Sequence, residues 1–185
     1  MPRWIAFLRA INVGGHTVTM NQLRQLFTSL GFSRVETFIA SGNVVFESES
    51  DDAAALETQI ANLLRGALGY EVATFLRGAA ELAAIARYQP FPPADLEAAA
   101  ALNVAFLAEP LDETAALRLM ALRTDIDDFR AHGREIYWLC RNKQSESTFS
   151  NAVLEKTVRQ QSTLRGINTI RRMAAKYAPF VPPTA

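Results

Sequence analysis

Short apolar runs alternate with amphipathic stripes along the first part of the chain. A run that is apolar throughout predicts a strand buried on both faces. Runs in which apolar and polar residues alternate, or short apolar runs between turn residues, predict further strands. Two of these runs are joined through Ser41 and Gly42, which is a hairpin signal. The four predicted strands are residues 3–9, 34–40, 43–47 and 71–77.

Two amphipathic helices separate these strands. Thr19 and Gln22 form a capping-box pattern at the start of the first helix, and Gly31 follows its last apolar residue. Ser50, Asp51 and Asp52 open the second helix, where acidic residues suit the positive end of the helix dipole, and Gly69 ends it. The resulting order, β-α-β-β-α-β, is the ferredoxin-like pattern.

The second half of the chain repeats this order without repeating its residues. Duplication of the pattern is one interpretation, and coincidence among common α+β arrangements is the other. The elements are a strand at 102–108, a helix at 113–122, a hairpin around His132-Gly133 and a helix near 150–160. We therefore expect an α+β fold of duplicated ferredoxin-like βαββα units, the second with or without a final strand, with antiparallel sheets and helices packed on one face.

This order predicts three regions. An N-terminal subdomain is expected at residues 1–78, a helical and proline-rich connector at 79–101, and a C-terminal subdomain with terminal helices at 102–185.

Charge separates the C-terminal tail from the rest of the chain. The 185 residues have a net charge of zero, which argues against a protein that mainly coats nucleic acid. From Gln144 onward, six Lys/Arg residues outnumber two glutamates. This excess indicates either solvated charges on terminal helices or a surface that faces an anion.

A single cysteine and a short N-terminal apolar run bear on location. Cys140 has no partner for an intrachain disulfide, which favours a reducing compartment. Residues 4–8 are too few for the core of a signal peptide or for a membrane span. We expect a cytoplasmic protein without a membrane association.

Three segments carry a family resemblance. They are FLRAINVGGHTVTMNQLRQLFTSLGF from Phe7, TFIASGNVVF from Thr37 and TLRGINTI from Thr163. Together they resemble the family called domain of unknown function 1697, which implies a duplicated ferredoxin-like fold and no known activity. Gly166 departs from the pattern, because the family usually has asparagine there.

Several chemistries lack the residues they need. The segment Gly14-Gly15-His16-Thr17 has neither the spacing nor the lysine of a P-loop. His16 and His132 have no second ligand at zinc spacing, and Cys140 lies in an apolar strand where an inert thiol is expected. Asp125, Asp127 and Asp128 lack the rest of a calcium loop and indicate an exposed strand start. No metal and no cofactor is predicted.

Two connections in the first half predict a polar rim. In a βαββαβ unit the first two strands run parallel, so the loop after the first and the turn after the second emerge at one edge. Their glycines allow backbone N–H groups to approach an anion, and Thr19 heads a helix nearby. Alternatively, the glycines satisfy turn geometry and the asparagines bond their own backbone. The candidate residues are Arg9, Asn12, Gly14, Gly15, His16, Ser41, Gly42 and Asn43.

A second polar cluster lies near the C-terminus and comprises Thr163, Arg165, Asn168, Thr169 and Arg171, of which the first four are candidate site residues. On a helix, Arg165, Asn168 and Thr169 share one face, and Arg171 lies well around from it. The plainer alternative makes Thr163 a helix cap and pairs Arg165 with an acidic neighbour.

Two hypotheses of different class follow. In the first, both clusters form one groove that binds an anionic small molecule or a nucleotide. In the second, the protein is an enzyme that acts on a small phosphate or carboxylate, with Arg9 or Arg165 holding the charge and His16 as acid or base. Nucleic-acid binding is a minor alternative, as is a homodimer formed through a sheet edge or residues 178–181.

Overall fold

A computed structural model describes residues 1–39 and 42–178 of the chain. Within these ranges the chain forms eight strands and seven α-helices, with a short 3₁₀ turn at Gln144–Glu146. The strands are β1 (Arg3–Leu8), β2 (Ser33–Thr37), β3 (Asn43–Glu47), β4 (Thr74–Gly78), β5 (Ala101–Phe106), β6 (Asp127–His132), β7 (Glu135–Cys140) and β8 (Thr163–Gly166). The helices are α1 (Met20–Ser29), α2 (Ala53–Leu68), α3 (Ala79–Arg87), α4 (Pro93–Ala98), α5 (Glu113–Met120), α6 (Asn151–Val158) and α7 (Ile167–Tyr177).

The strands form two four-stranded sheets with the same topology. The first sheet has the order β2-β3-β1-β4 and the second has the order β6-β7-β5-β8. Neighbouring strands in both sheets are antiparallel. Each sheet therefore has the ferredoxin-like order, and the predicted α+β fold with a repeated unit is confirmed.

The chain divides into two compact units. Unit 1 contains residues 1–86 together with the described residues from Arg172 onward, and unit 2 contains Arg87–Arg171. The division therefore assigns α3 almost entirely to unit 1 and falls within α7. Both features differ from the ranges expected from the sequence, where α3 belongs to a connector and α7 to the C-terminal subdomain.

In unit 1 helices α1 and α2 pack on one face of the sheet. Trp4, Ala6 and Leu8 point to this face and join the buried residues of α1 and α2 in one apolar core. Ile5 and Phe7 point to the opposite face and are also fully buried. As predicted for the first strand, β1 is buried on both sides because side chains alternate along it.

Helix α1 begins and ends at the residues that its sequence signals. The Thr19 hydroxyl accepts a hydrogen bond from the Gln22 N–H at 3.1 Å, and the Gln22 side chain accepts one from the Thr19 N–H at 2.8 Å. Gly31 follows the helix with a φ of +84°, a conformation that glycine adopts at little cost. The capping box fixes the direction in which the loop after β1 enters the helix.

The edge strand β2 is irregular and contacts the end of α7. Its register with β3 shifts between Ser33 and Glu36, and Arg34 within this interval has a φ of +48°. The Glu36 carboxylate accepts hydrogen bonds from Lys176 Nζ at 2.7 Å and from the Tyr177 hydroxyl at 2.9 Å. These contacts lie within unit 1.

Asp127 corrects an expectation from the sequence. The acidic run of which it is part was predicted at an exposed strand start, yet Asp127 is only 1% exposed. Its carboxylate accepts hydrogen bonds from Trp138 Nε1 at 2.8 Å and from Ser147 Oγ at 2.8 Å. Asp125 and Asp128 remain more accessible, and Asp128 pairs with Arg123 at 2.8 Å. The alternation of side chains along β6 separates Asp127 from Asp128, and Asp125 lies in the bend before the strand.

The predicted helix around Arg165 is wrong. Residues Thr163–Gly166 form β8, which pairs with β5 from Thr163↔Phe106 to Asn103↔Gly166. The sequence did not reveal this strand because four residues are too few for a clear alternation, and only pairing with the distant β5 stabilises it. Helix α7 begins immediately after it, at Ile167.

Candidate functional site

The N-terminal connections leave the first sheet at one edge. Because β1 and β2 are both antiparallel to β3, they run parallel and their C-terminal ends lie at the same edge. The backbone N–H of Leu8 donates to Gly42 O at 2.8 Å, so the end of β1 lies beside the turn. Gly14, Gly15 and Gly42 have φ values of +69°, +83° and +101°, which suit glycine. Ser41 lies outside the described residues.

The two asparagines of this rim bond to the backbone of their own loops. Asn12 Oδ1 accepts from Val18 N at 2.6 Å, and Asn12 Nδ2 donates to Val18 O at 3.3 Å. Asn43 Nδ2 donates to Phe38 O at 3.2 Å. These bonds correspond to the turn-geometry alternative for both residues, and they use the amide groups that a ligand would need.

His16 packs against an aromatic ring at the same rim. Its imidazole stacks on Tyr70 with ring centroids 3.8 Å apart, and the Tyr70 hydroxyl donates to Ile11 O at 2.7 Å. Partial burial raises the pKa of Tyr70 above its ordinary value. Arg9 follows β1 and is half-buried, and its backbone N–H donates to Ala73 O. The ring stack gives His16 a structural contact that the sequence did not indicate.

Unit 2 contains a cavity of about 360 Å³ at the start of α7. It includes the predicted residues Asn168 and Thr169 together with four positions that the prediction left out of the site: Asn103, Gln144, Gly166 and Arg171. The remaining lining is apolar and comprises Leu96, Ala99, Ala100, Ala101, Leu102 and Ile167. A small number of polar groups on an apolar wall is typical of a small-molecule site.

The charge of the cavity lining is positive. Among its lining residues, all within the described part of the chain, none is acidic and Arg171 alone is charged. The backbone N–H groups at the start of α7 also point toward this end, because the first turn of a helix leaves them without intrahelical partners. The side chains of Asn168 and Thr169 make no hydrogen bond to any described residue. These groups remain available to a ligand.

Asn103 has an unusual environment for a polar side chain. Its Nδ2 is buried and has no hydrogen-bond acceptor among the described residues. Asn103 stands directly opposite Gly166 in the register of β5 and β8. The sequence held one signal for it, since it is the only polar residue in the apolar run LNVAFLA.

Thr163 and Arg165 face away from this cavity. Arg165 pairs with Val104, and side chains alternate along β5, so it lies on the opposite sheet face from Asn103. The guanidinium donates to Thr163 Oγ1 at 2.7 Å and to Leu164 O at 2.8 Å. Burial lowers the pKa of Arg165 to about 10, which leaves it cationic at neutral pH.

The expected helical face is therefore corrected. Asn168 and Thr169 share the cavity with Arg171, whereas Arg165 belongs to a strand and lies on the opposite sheet face. Arg171 is expected well around from the face of Arg165, Asn168 and Thr169, but it is three residues from Asn168 on the same helix and so lies near it. The N-terminal rim belongs to unit 1, and this cavity belongs to unit 2.

Residues 1–39 and 42–178 lack two further features. No group of three or more His, Cys, Asp and Glu side chains in these ranges is arranged to hold a metal ion. No helix in the same ranges is long and apolar enough to cross a membrane.

The chain belongs to a family of uncharacterised proteins. The family described as protein of unknown function (DUF1697) matches residues 1–137. The match includes all of the first sheet and Asn103, but it ends before β8 and α7. The resemblance seen in the sequence is thus confirmed.

A solved structure shares the fold. A conserved bacterial protein from Streptococcus pneumoniae superposes with a TM-score of 0.76 at 24% sequence identity, over 94% of this chain and 97% of the other. At this identity the similarity establishes the fold alone. No curated protein matches the chain.

Proposed function

We propose that the protein is a binding module for a small anionic molecule, held in the unit 2 cavity at the start of α7. The observation that carries this proposal is a cavity of about 360 Å³ with one arginine, three further polar side chains besides Asn103 and no acidic residue in its lining. The anionic group would meet Arg171 and the first backbone N–H groups of α7. The guanidinium and these N–H groups both stabilise a negative charge at that position.

The same lining favours binding over acid–base catalysis. Its polar side chains are amides, a hydroxyl and a guanidinium, and none of these groups exchanges a proton readily near neutral pH. His16, the residue on which the enzyme hypothesis depends, belongs to unit 1 and stacks on Tyr70. The geometry therefore supports a module that binds its ligand without transforming it.

The size of the cavity limits the ligand. Small-molecule sites span roughly 300–1,000 Å³, and this cavity lies near the lower end of that range. A molecule with one phosphate or carboxylate on a compact body fits such a volume. A dinucleotide or a stretch of nucleic acid would extend beyond it.

Calorimetric titration with inorganic phosphate and with small phosphate monoesters tests the proposal. Arg171→Ala removes a charge-assisted hydrogen bond, and we expect it to weaken binding about tenfold. Arg159→Ala is the matched control, because Arg159 is an exposed arginine of unit 2 that does not line the cavity. Absence of binding in the unchanged protein, or equal losses in both variants, would refute the proposal.

A further inference from the structure

The buried amide of Asn103 identifies a second contact in the same cavity. Asn103 lines the cavity, and its Nδ2 is buried without an acceptor among the described residues. Native structures rarely bury an amide N–H without a partner, so such a group calls for an acceptor that the described residues do not supply. Its oxygen, Oδ1, is the atom beside Gly166, so a half-turn of the amide, which exchanges its nitrogen and oxygen, would present Nδ2 to a bound molecule.

Gly166 leaves space beside this amide. Its backbone is outside the left-handed region, so the conformation does not require glycine. The nearest atom to a Cβ placed there is Asn103 Oδ1, at 3.9 Å, which is ordinary van der Waals contact. Neither backbone geometry nor packing demands glycine at this position. The missing side chain instead opens the cavity wall next to Asn103.

These two features describe a ligand with two polar parts. We infer that the molecule bound in the cavity carries, besides its anionic group, a carbonyl oxygen or ring nitrogen that accepts a hydrogen bond from Asn103 in the space left by Gly166. This inference rests on the proposed function, since it assigns the body of the ligand whose anionic group meets Arg171. The apolar side chains of Leu96, Leu102 and Ile167 cover that body.

The class of ligand is therefore a compact acid that bears an acceptor group. A mononucleotide or an N-acylated carboxylic acid has this chemistry. A simple sugar phosphate in its ring form or a fatty acid has the anionic group but lacks the carbonyl oxygen or ring nitrogen. A site that is built to hydrogen-bond one group discriminates against an analogue without it, because its own polar group is then left unpaired.

Two matched pairs of probes test the inference on the full chain. The first pair is uridine 5′-monophosphate and ribose 5-phosphate, and the second is N-acetylglycine and pentanoate. Only the first member of each pair carries a carbonyl oxygen in its body, since ribose 5-phosphate in its ring form offers hydroxyl and ether oxygens and pentanoate offers hydrocarbon. We expect at least one acceptor-bearing probe to bind about tenfold more tightly than its partner.

Variants then assign the preference to Asn103 and Gly166. Asn103→Leu keeps the volume of the side chain and removes the amide, so we expect the preference to fall to about twofold or less. Gly166→Val fills the space beside Asn103, and it should abolish binding of the favoured probe while inorganic phosphate still binds. Because Asn103→Leu removes an unpaired buried amide, it is expected to fold, and its circular dichroism and Tm serve as the check.

The outcomes separate this inference from the proposed function. If no probe binds, including inorganic phosphate, both are refuted. If anions bind and depend on Arg171 but neither acceptor-bearing probe is preferred, the inference is refuted and the proposed function remains supported. A preference that survives Asn103→Leu unchanged also overturns the inference, because the acceptor must then contact another group.

Discussion

Replacement of Asp127 by alanine is expected to destabilise unit 2 strongly. The carboxylate is 1% exposed and accepts hydrogen bonds from Trp138 Nε1 at 2.8 Å, Ser147 Oγ at 2.8 Å and Thr124 Oγ1 at 3.2 Å. Alanine removes both acceptor oxygens at once, so all three donors lose their partner, and it leaves a space where the carboxylate was. The Trp138 donor then lies in a region that water reaches poorly.

The magnitude follows from how well each donor can find another partner. Trp138 is 5% exposed, and a buried N–H without an acceptor costs about 1–3 kcal/mol. Ser147 is half-buried and turns more readily toward water, so its loss is smaller. We expect a total of about 2–4 kcal/mol, which corresponds to a fall in Tm of roughly 5–15 °C for a chain of this size.

Urea and thermal unfolding followed by circular dichroism measure this loss. Asp127→Asn keeps one oxygen for Trp138, so it should cost less than half as much as alanine. Asp125→Ala is the control, because Asp125 lies in the same turn but is exposed, and it should change stability by about 0.5 kcal/mol or less. In a Trp138→Phe background the cost of Asp127→Ala should fall by about 1 kcal/mol or more.

The reasoning would be refuted if Asp127→Ala and Asp125→Ala had equal stability. The same holds if the cost of Asp127→Ala were unchanged in the Trp138→Phe background. A further readout links this network to the cavity, since Ser147 ends the 3₁₀ turn that begins with the lining residue Gln144. Loosening of that turn in Asp127→Ala should weaken anion binding as well.

Two further predictions concern unit 1. Hydrogen bonding to Lys176 lowers the folded-state pKa of Glu36 below its ordinary value of 4.5. The stabilisation is therefore present above that value and is lost as the pH falls through the lowered pKa. At about pH 6 the wild-type protein should unfold at a higher urea concentration than Glu36→Gln, and at about pH 2.5 the two should unfold at the same concentration. A difference in urea midpoint of equal size at both pH values contradicts the assignment. Tyr70→Phe removes the hydrogen bond to Ile11 O and keeps the ring on which His16 stacks. We expect the loop after β1 to lose about 1 kcal/mol of local stability, so its backbone amides should exchange hydrogen faster. Unchanged exchange there would show that the ring stack alone holds the loop.

Local signals in the sequence predicted most of the fold. The capping box at Thr19 and Gln22 and the turn at His132-Gly133 depend on contacts a few residues apart, and both occur as expected. The repeated order of elements was visible for the same reason, because each helix and hairpin has its own pattern. Strand β8 was missed, since it exists through pairing with a strand about sixty residues earlier.

The candidate site was predicted only in part. Asn168 and Thr169 were named, but the reason for naming them was a helix that includes Arg165, which is a strand residue. The cavity depends on Asn103 and Gly166 lying opposite each other, and no pattern along the chain brings these positions together. Asn12 and Asn43 looked equally suitable for a ligand, yet their amides hold their own loops. Sequence pattern identifies polar residues beside glycines but does not reveal which of them the backbone already uses.

The irregular edge strand of the first sheet affects how copies of the chain meet. A straight exposed strand offers a row of free N–H and C=O groups on which a strand from another molecule can assemble. The register shift near Arg34 interrupts that row, and the contacts of Glu36 with Lys176 and Tyr177 bring the end of α7 against the same strand. Intermolecular strand addition at this edge is thereby disfavoured, which lowers the tendency of the folded protein to aggregate when it is concentrated.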